Sequence, residues 1–191
     1  MTKGRLEAFS DGVIAIIITI MVLELKVPHG TEWSALKPLI PLLIAYIVSF
    51  IYIGIYWNNH HHLFQAVKHV DGRVLWSNLH LLFWLSLVPV VTHWIGENHT
   101  AVVPVSLYGV VLIGAGIAYF LLVRALLARH DRESALAEAI GRDFKGIVSV
   151  ALYAVAVLAA PWSTWIALAI YGVVAVIWLV PDTRIEKRLR E

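Results

Sequence analysis

The stretch Arg5-Leu6-Glu7-Ala8-Phe9-Ser10-Asp11-Gly12, which continues as VIAIIITIMVLELKVP to Pro28, decides how this chain folds. It is long enough to span a membrane, because about twenty residues at about 1.5 Å each cross a hydrocarbon core of about 30 Å. Its first turns nevertheless carry Arg5, Ser10 and Asp11. An aspartate at the centre of a span costs roughly 2.5–3.5 kcal/mol, so even near one end Asp11 requires a polar partner or water.

We call Arg5, Ser10 and Asp11 the polar foot of this helix. Beyond the polar foot, the helix presents a mostly apolar stripe. Ile16, Thr19 and Leu23 follow one another at i, i+3 and i+7, which places them on one face. A helix that begins with polar residues and continues as an apolar stripe containing the Thr19 hydroxyl does more than anchor the chain in the membrane.

The composition is that of an integral membrane protein. Of the 191 residues, 60% are hydrophobic and 15% are charged, and the mean hydropathy is +0.77. Soluble domains carry about 25% charged residues. The chain contains no cysteine, which excludes disulfides and thiolate metal sites. Glu7, Asp11 and the length of the apolar run argue against a cleaved signal peptide.

Six apolar segments predict an all-α integral membrane protein with six transmembrane helices in one domain, residues 1–191. The predicted spans are Arg5–Val27, Leu36–Phe64, Val74–Ile95, Val102–Leu127, Gly146–Ala160 and Ser163–Val180. The last two are separated only by Pro161-Trp162, which predicts a tight helical hairpin. No span is expected to be broken at its centre, because every proline near a span is placed toward its outer end: Pro38, Pro41, Pro89, Pro104 and Pro161.

Glycines in the fourth span predict close helix packing. Gly109, Gly114 and Gly116 would let another backbone approach, and a contact between subunits is one alternative for that partner. The segment that follows, from Arg124 to Lys145, is predicted to extend the span as a helix or to lie along the membrane surface.

The basic residues predict the orientation, because Lys and Arg concentrate on the cytoplasmic side of membrane proteins. Of fifteen, thirteen fall on one side of the six-span arrangement: Lys3, Arg5, Lys68, Arg73, Arg124, Arg129, Arg132, Arg142, Lys145, Arg184, Lys187, Arg188 and Arg190. Lys26 and Lys37 fall on the other side. Both termini are therefore expected in the cytoplasm, in a multi-pass protein of the inner (plasma) membrane.

Polar side chains of the first three spans fall at one depth. Asp11 lies about 10 Å from the start of its span, and Asn58, Asn59 and His60 lie roughly 6–9 Å from the end of theirs. The third span brings Trp76, Ser77, Asn78 and His80 to the same slab. We expect these groups to hydrogen bond to one another and so tie the first span to the other two. A pH-responsive role for His60 or His80 is an alternative to a structural one.

Enzyme and metal sites are not indicated. His60, His61 and His62 with His80 suggest a histidine box, but consecutive helical residues point about 100° apart and no HxxxH or HxxHH spacing occurs. There is no P-loop, no GxSxG elbow and no paired-carboxylate arrangement. We expect no resident metal, no cofactor, no nucleic-acid partner and no enzymatic activity.

The motif R-x-x-x-F-S-D, followed by GVIAIIITIMVLELKVP, resembles the first helix of the prokaryotic transmembrane protein 175 potassium channels. The segments YWNNHHHLF and LWSNLHLLFWLSLVP of the second and third spans also resemble that family, and the remaining spans share its general plan. Animal relatives have two such six-helix repeats, and this chain resembles one. The resemblance implies a homotetramer in the lipid bilayer, in which four first helices surround a pathway for K⁺.

The resemblance also implies roles for individual residues. It places an apolar constriction on Ile16, a threonine layer on Thr19 and a further apolar layer on Leu23, with Ile20 as an additional candidate for the lumen. It places a structural polar network on Arg5, Phe9, Ser10 and Asp11, with Trp76, Asn78 and His80 as partners.

The chemistry of the first helix limits how selectivity could arise. No TVGYG-like loop supplies backbone carbonyls, so selectivity would come from a narrow apolar neck that forces partial dehydration and also gates by dewetting. Two other functions remain open at this point. One is a proton-coupled carrier that uses Asp11 and His80 as relay groups, and the other is a scaffold without transport. A carrier should show broken helices or paired half-site motifs.

Overall fold

The structure, a computed structural model, describes residues 2–65, 67, 70–128 and 144–179. All regular secondary structure within these ranges is helical. Three sequence expectations concern residues outside these ranges: the surface or helical segment from Arg124 to Lys145, of which residues 129–143 lie outside, the end of the last span at Val180, and the basic tail from Arg184 to Arg190.

The described ranges contain seven α-helices. They are α1 Lys3–Leu23, α2 Ile40–Gln65, α3 Gly72–Ser86, α4 Val88–Glu97, α5 Val102–Leu127, α6 Phe144–Ala159 and α7 Thr164–Leu179. A 3₁₀ helix, Trp33–Leu39, leads into α2. Pro41 lies in the first turn of α2, where its missing N–H leaves no hydrogen bond unmade.

Four helical stretches are long and apolar enough to cross a membrane: Lys3–Leu23, Trp33–Gln65, Gly72–Glu97 and Val102–Leu127. The helices α6 and α7 have 16 residues each, which corresponds to about 24 Å. They are joined by residues 160–163, which confirms the predicted hairpin. The helix α1 ends at Leu23, earlier than predicted, and Val27, which precedes Pro28 and so avoids the helical region, lies outside it.

The third span differs from the prediction of unbroken helices. It is interrupted at Leu87, between α3 and α4, and Pro89 stands in the first turn of α4. Proline has no N–H to donate to the carbonyl four residues earlier, so the carbonyl of Leu85 loses its helical partner. The N–H of Leu87 instead donates to the carbonyl of Trp84 at 3.2 Å, which tightens the last turn of α3. The backbone of Leu87 stays in the helical region and its carbonyl accepts from Val91 N–H at 3.2 Å, so Pro89 kinks the span without unwinding it.

The helices alternate in direction when α3 and α4 are taken together as one crossing. We call the end at which α1, α3 and α6 begin the basic end, since Lys3, Arg73, Arg124 and Lys145 all lie there. The helix α1 packs against α2, α3 and α4, while α5 packs against α3, α4, α6 and α7 and so forms the centre of the bundle. Residues of α5 are completely buried at Ala115, Ala118 and Leu122.

The glycines of α5 pack against other helices of the same chain. An added Cβ at Gly114 would overlap the indole of Trp84 in α3, and one at Gly109 would overlap Tyr171 in α7. At Gly116 the nearest atom would be a methyl group of Val150 in α6, at 2.8 Å. The predicted close packing is therefore present, and the partners are helices of one subunit.

Buried hydroxyl groups join the helices away from the basic end. Ser49 and Tyr108 share a hydrogen bond of 2.9 Å, and Thr92 donates to the Ser49 oxygen at 2.7 Å. Tyr52 donates to the carbonyl of Tyr171 at 2.6 Å, and the Tyr171 hydroxyl donates to the carbonyl of Val105 at 3.0 Å. These bonds satisfy polar groups that lipid could not satisfy, and they fix α2, α4, α5 and α7 against one another.

Candidate functional site

One face of α1 is buried and the opposite face is uncovered. The buried face packs against α2, α3 and α4 and consists of Leu6, Ser10, Ile14, Ile17 and Met21. The opposite face carries the residues predicted for the lumen: Ile16 is 59% exposed and Leu23 is 80% exposed, and Thr19 and Ile20 are exposed between them. An apolar face that its own subunit leaves uncovered must meet lipid or another protein surface.

The hydroxyl of Thr19 uses its proton in a hydrogen bond and keeps its lone pairs. Its Oγ1 donates to the carbonyl of Ile16 at 2.8 Å, within the same helix. A hydroxyl has one proton and two lone pairs, so this bond leaves the lone pairs of Thr19 on the uncovered face. The only polar group of the stripe therefore offers electron density, which suits a cation better than an anion.

The polar foot of α1 is joined to two other helices by Asn78. The Asn78 Nδ2 donates to Ser10 Oγ at 2.9 Å, and its Oδ1 lies 2.8 Å from Nε2 of His60. Ser10 in turn donates to the carbonyl of Leu6 at 2.9 Å. Ser10, His60 and Asn78 are all buried, so α3 links α1 to α2 through one amide whose donor and acceptor are both used.

Asp11 is bound by a residue absent from the predicted network. Trp57 Nε1 of α2 donates to Asp11 Oδ1 at 3.0 Å, and the Trp57 indole stacks on His61 with ring centroids 5.9 Å apart. Both Asp11 and Trp57 are exposed on the surface of the subunit. Trp57 lies within one turn of His60 and so near the predicted depth of Asp11, but depth alone did not distinguish it from Trp76.

The other residues predicted for this network are not brought to it within the subunit. Arg5 and Phe9 are exposed, and Trp76 is 75% exposed on α3. His80 accepts a hydrogen bond of 2.9 Å from Trp84, four residues later in its own helix. The structure therefore joins Ser10 and Asn78, gives Asp11 and His80 different tryptophan partners, and leaves Arg5, Phe9 and Trp76 on the surface.

The histidines do not converge. His60 bonds to Asn78, whereas His61 Nε2 lies 2.8 Å from Gln65 Nε2 on the outside of α2. Among the residues that the structure describes, no three His, Asp or Glu side chains are arranged to hold a metal ion.

Charged residues link α1 to α4 at the end opposite the basic end. Lys26 and Glu97 form an ion pair of 3.0 Å. His93 lies between two carboxylates, 3.5 Å from Glu24 and 3.4 Å from Glu97. Both ends of α1 are thus fixed to the rest of the subunit, the first by the buried amide of Asn78 and the second by exposed ion pairs.

Replacing Asn78 with leucine should destabilise the subunit by about 1–2 kcal/mol, because His60 would be left buried without its partner. The midpoint of thermal unfolding of detergent-solubilised protein measures this. Asn58→Leu is the matched control, since it makes the same chemical change at an exposed position of α2. An Asn78→Leu protein that unfolds with the wild type would show that the amide contributes nothing.

These features define a class of protein: a multi-pass, all-helical membrane protein whose first helix has a polar foot bonded to two neighbouring helices and an uncovered apolar face. The sequence profile of the family described as endosomal/lysosomal potassium channel TMEM175 matches residues 5–89. A protein of Chryseobacterium sp. (strain P1-3), named a potassium channel, is 57% identical over 191 residues and covers 100% of both chains. The chain therefore belongs to the TMEM175 family.

Two further comparisons agree with this assignment. The crystal structure of a lysosomal potassium-selective channel TMEM175 homolog from Chamaesiphon minutus superimposes with a TM-score of 0.82 and 32% identity, over 93% of this chain and 96% of that one. A chicken protein named endosomal/lysosomal proton channel TMEM175 is 30% identical over 150 residues, which is 70% of this chain and 30% of that protein. The family is one of ion channels, so the prediction that the chain is not an enzyme is confirmed.

Proposed function

We propose that the chain is one subunit of a potassium-permeable cation channel, a homotetramer in which four copies of α1 surround the ion pathway. The observation that carries this proposal is the uncovered stripe of Ile16, Thr19 and Leu23. The stripe lies on a helix whose opposite face is already packed, so one subunit cannot enclose a pathway and several copies are needed. The names of the Chryseobacterium and Chamaesiphon relatives support K⁺ as the permeant ion.

Selectivity in this proposal comes from a neck and not from a cage of carbonyls. Rings of Ile16 and Leu23 form apolar constrictions through which an ion passes only after losing part of its hydration shell. The lone pairs of Thr19 lie between these rings and partly replace the lost water. Ile20 lines the wall beside them. K⁺ gives up its water at a lower cost than smaller cations do, so a narrow neck of this kind favours it.

The polar foot holds the neck in place. In this proposal Ser10 and Asp11, with Asn78, set the rotation of α1 about its axis, and that rotation directs Ile16 and Leu23 at the pathway. Arg5, Phe9 and Trp76 are exposed at the same level and contribute to the network across the contact with a neighbouring subunit, while His80 buttresses Trp84 in α3.

Six crossings with both termini in the cytoplasm complete the proposed topology. The hairpin of α6 and α7 is about 24 Å long and crosses a core of about 30 Å through local thinning of the bilayer. The excess of basic residues at the basic end places that end in the cytoplasm of a cell with a plasma (inner) membrane.

A proton-coupled carrier is the second candidate: carriers use interrupted helices, and the third span is kinked at Leu87, although its backbone there stays helical. The arrangement of Asp11 and His80, the groups assigned to the relay, does not favour a carrier. Asp11 accepts from Trp57 and His80 accepts from Trp84, so the two groups assigned to the relay have separate partners.

Recording from purified protein in planar bilayers separates these functions. A channel gives unitary current steps whose reversal potential follows the K⁺ gradient when Na⁺ replaces K⁺ on one side. A carrier gives no unitary steps, and its flux saturates with substrate and follows an imposed pH gradient. A scaffold gives neither. Absence of unitary steps in bilayers that contain folded protein would overturn the channel proposal.

A further inference from the structure

A cavity of about 220 Å³ lies between α2, α5, α6 and α7, outside the polar foot and the stripe of α1. Its inner wall includes Tyr52 and Tyr153, which are 2% and 3% exposed, and its rim includes Ile117 and Ile147, which are exposed. The cavity therefore reaches from the surface of the subunit to its core. The proposed ion pathway does not use this cavity, although Tyr56 and Asn59 of the YWNNHHHLF segment line it.

The cavity runs along the membrane normal from the basic end toward the middle of the bundle. On α6 it extends from Gly146 to Tyr153, and on α2 from Asn59 back to Tyr52. Seven residues of helix correspond to about 10 Å. The cavity opens beside Gly146 near the basic end of α6, and in the proposed topology this is the level at which lipid headgroups give way to acyl chains.

The lining suits hydrocarbon. Most of its side chains are aliphatic or aromatic, and its Ser149 and Trp178 are bonded to one another. Trp178 Nε1 donates to Ser149 Oγ at 2.8 Å, and Ser149 donates to the carbonyl of Lys145 at 2.8 Å. An occupant is therefore held mainly by van der Waals contact, as an acyl chain would be.

Two cationic side chains lie over aromatic rings of this lining at the basic end. The Arg124 guanidinium carbon lies 5.7 Å from the ring centroid of Phe120, and the Lys145 ammonium nitrogen lies 6.0 Å from the ring of Trp178. Phe120 and Trp178 both line the cavity. The apolar cavity is thus continuous with a basic rim, which is the charge pattern that anionic lipid headgroups recognise between membrane helices.

From this arrangement we infer that the cavity is a binding site for an anionic phospholipid of the leaflet at the basic end. One acyl chain occupies the cavity and approaches Tyr52 and Tyr153. The phosphate lies at the rim with Arg124 and Lys145. The site lies where α2 meets α5, α6 and α7 and does not include the stripe of α1, so the lipid would brace these helices without entering the ion pathway.

Photolabelling of the wild-type protein tests whether an acyl chain of the lipid occupies the cavity. A phosphatidylglycerol with a diazirine near the end of one acyl chain is incorporated into vesicles with the protein, irradiated, and mapped by mass spectrometry. We expect saturable labelling of Tyr52 or Tyr153, which are buried and so out of reach of lipid that merely surrounds the protein. Labelling confined to exposed residues such as Val155 and Leu158 would overturn the inference.

Native mass spectrometry with phosphatidylglycerol and phosphatidylcholine tests affinity with matched variants. Val150→Phe fills the cavity from α6 and should remove one tightly bound phosphatidylglycerol per subunit, whereas Val155→Phe, on the exposed face of the same helix, should not. Lys145→Gln should weaken binding about fivefold, and Arg73→Gln, at the same end but away from the cavity, should not. Equal binding by Val150→Phe and Val155→Phe, or equal affinity for the two lipids, would contradict the site.

Neither photolabelling nor native mass spectrometry depends on ion flux. A negative result for the lipid site would therefore leave the proposed channel function untouched, and the reverse also holds. If Val150→Phe fails to fold, the labelling of wild-type protein still decides the question.

Discussion

Ile16→Asn should raise the single-channel conductance severalfold and reduce the preference for K⁺ over Na⁺. In the proposed tetramer, four isoleucines at this position form a dry neck, and four amides would hydrogen bond water and partly replace an ion's hydration shell. Lowering the permeation barrier by about 1.4 kcal/mol corresponds to a tenfold faster rate. The measurement is the unitary current in symmetrical K⁺, together with the reversal potential under K⁺ and Na⁺.

The matched control is Val22→Asn on the same helix. Val22 is exposed like Ile16 but, at 100° per residue, points about 120° away from it around the helix axis. A pore that is lined by the face of Ile16 should respond to the first substitution and be nearly unaffected by the second. Equal conductance and selectivity in Ile16→Asn and the wild type would show that Ile16 is not at the neck.

Gly114→Ala should destabilise the subunit by about 3 kcal/mol, at the upper end of the cost of overpacking a core. A Cβ at this position would overlap the Trp84 indole, which cannot move freely because its Nε1 donates to His80. Alanine forms helices better than glycine by about 1 kcal/mol, so any loss of stability arises from the steric overlap alone. The thermal unfolding midpoint and the yield of folded protein report the effect.

Gly172→Ala supplies the control for this change. Gly172 lies within α7, and an added Cβ there would meet no atom within 4 Å. We expect Gly172→Ala to leave stability unchanged or raised. If Gly114→Ala were as stable as Gly172→Ala, α3 and α5 would have to lie farther apart than the structure places them, and the interpretation of the α5 glycines as intrasubunit packing residues would be wrong.

The sequence predicted the helical segments well because length and hydropathy are local properties. Each predicted span corresponds to a helix or helix pair, and the hairpin at Pro161-Trp162 forms as expected. The main error was at Leu87. The kink at Pro89 was not anticipated: eight residues of helix follow the proline, and its missing N–H deprives the Leu85 carbonyl of its usual donor, so that the N–H of Leu87 turns to the carbonyls of Trp84 and Leu85 and ends α3.

The depth of each polar residue could also be predicted, and Asn78 was expected in the network with Ser10, but the partner of Asp11 could not be predicted. Trp57 and Trp76 both fall at the level of Asp11, and the sequence gives no reason to prefer one. In the structure Trp57 donates to Asp11 while Trp76 points away from the subunit. The choice depends on how α2 and α3 are rotated about their axes, which a helical period alone leaves undetermined.

The sequence by itself thus determined that the chain is a helical membrane protein and that Ser10 and Asp11 need partners, because burying unpaired polar groups in lipid is costly wherever they lie. Only the tertiary structure decided that Asn78 and Trp57 are those partners and that Ile16, Thr19 and Leu23 stay uncovered. Helix rotation follows from all contacts made at once, such as Gly114 on Trp84 and Leu6 and Ile14 against the neighbours of α1. These contacts join residues far apart in the chain, so no single segment encodes them.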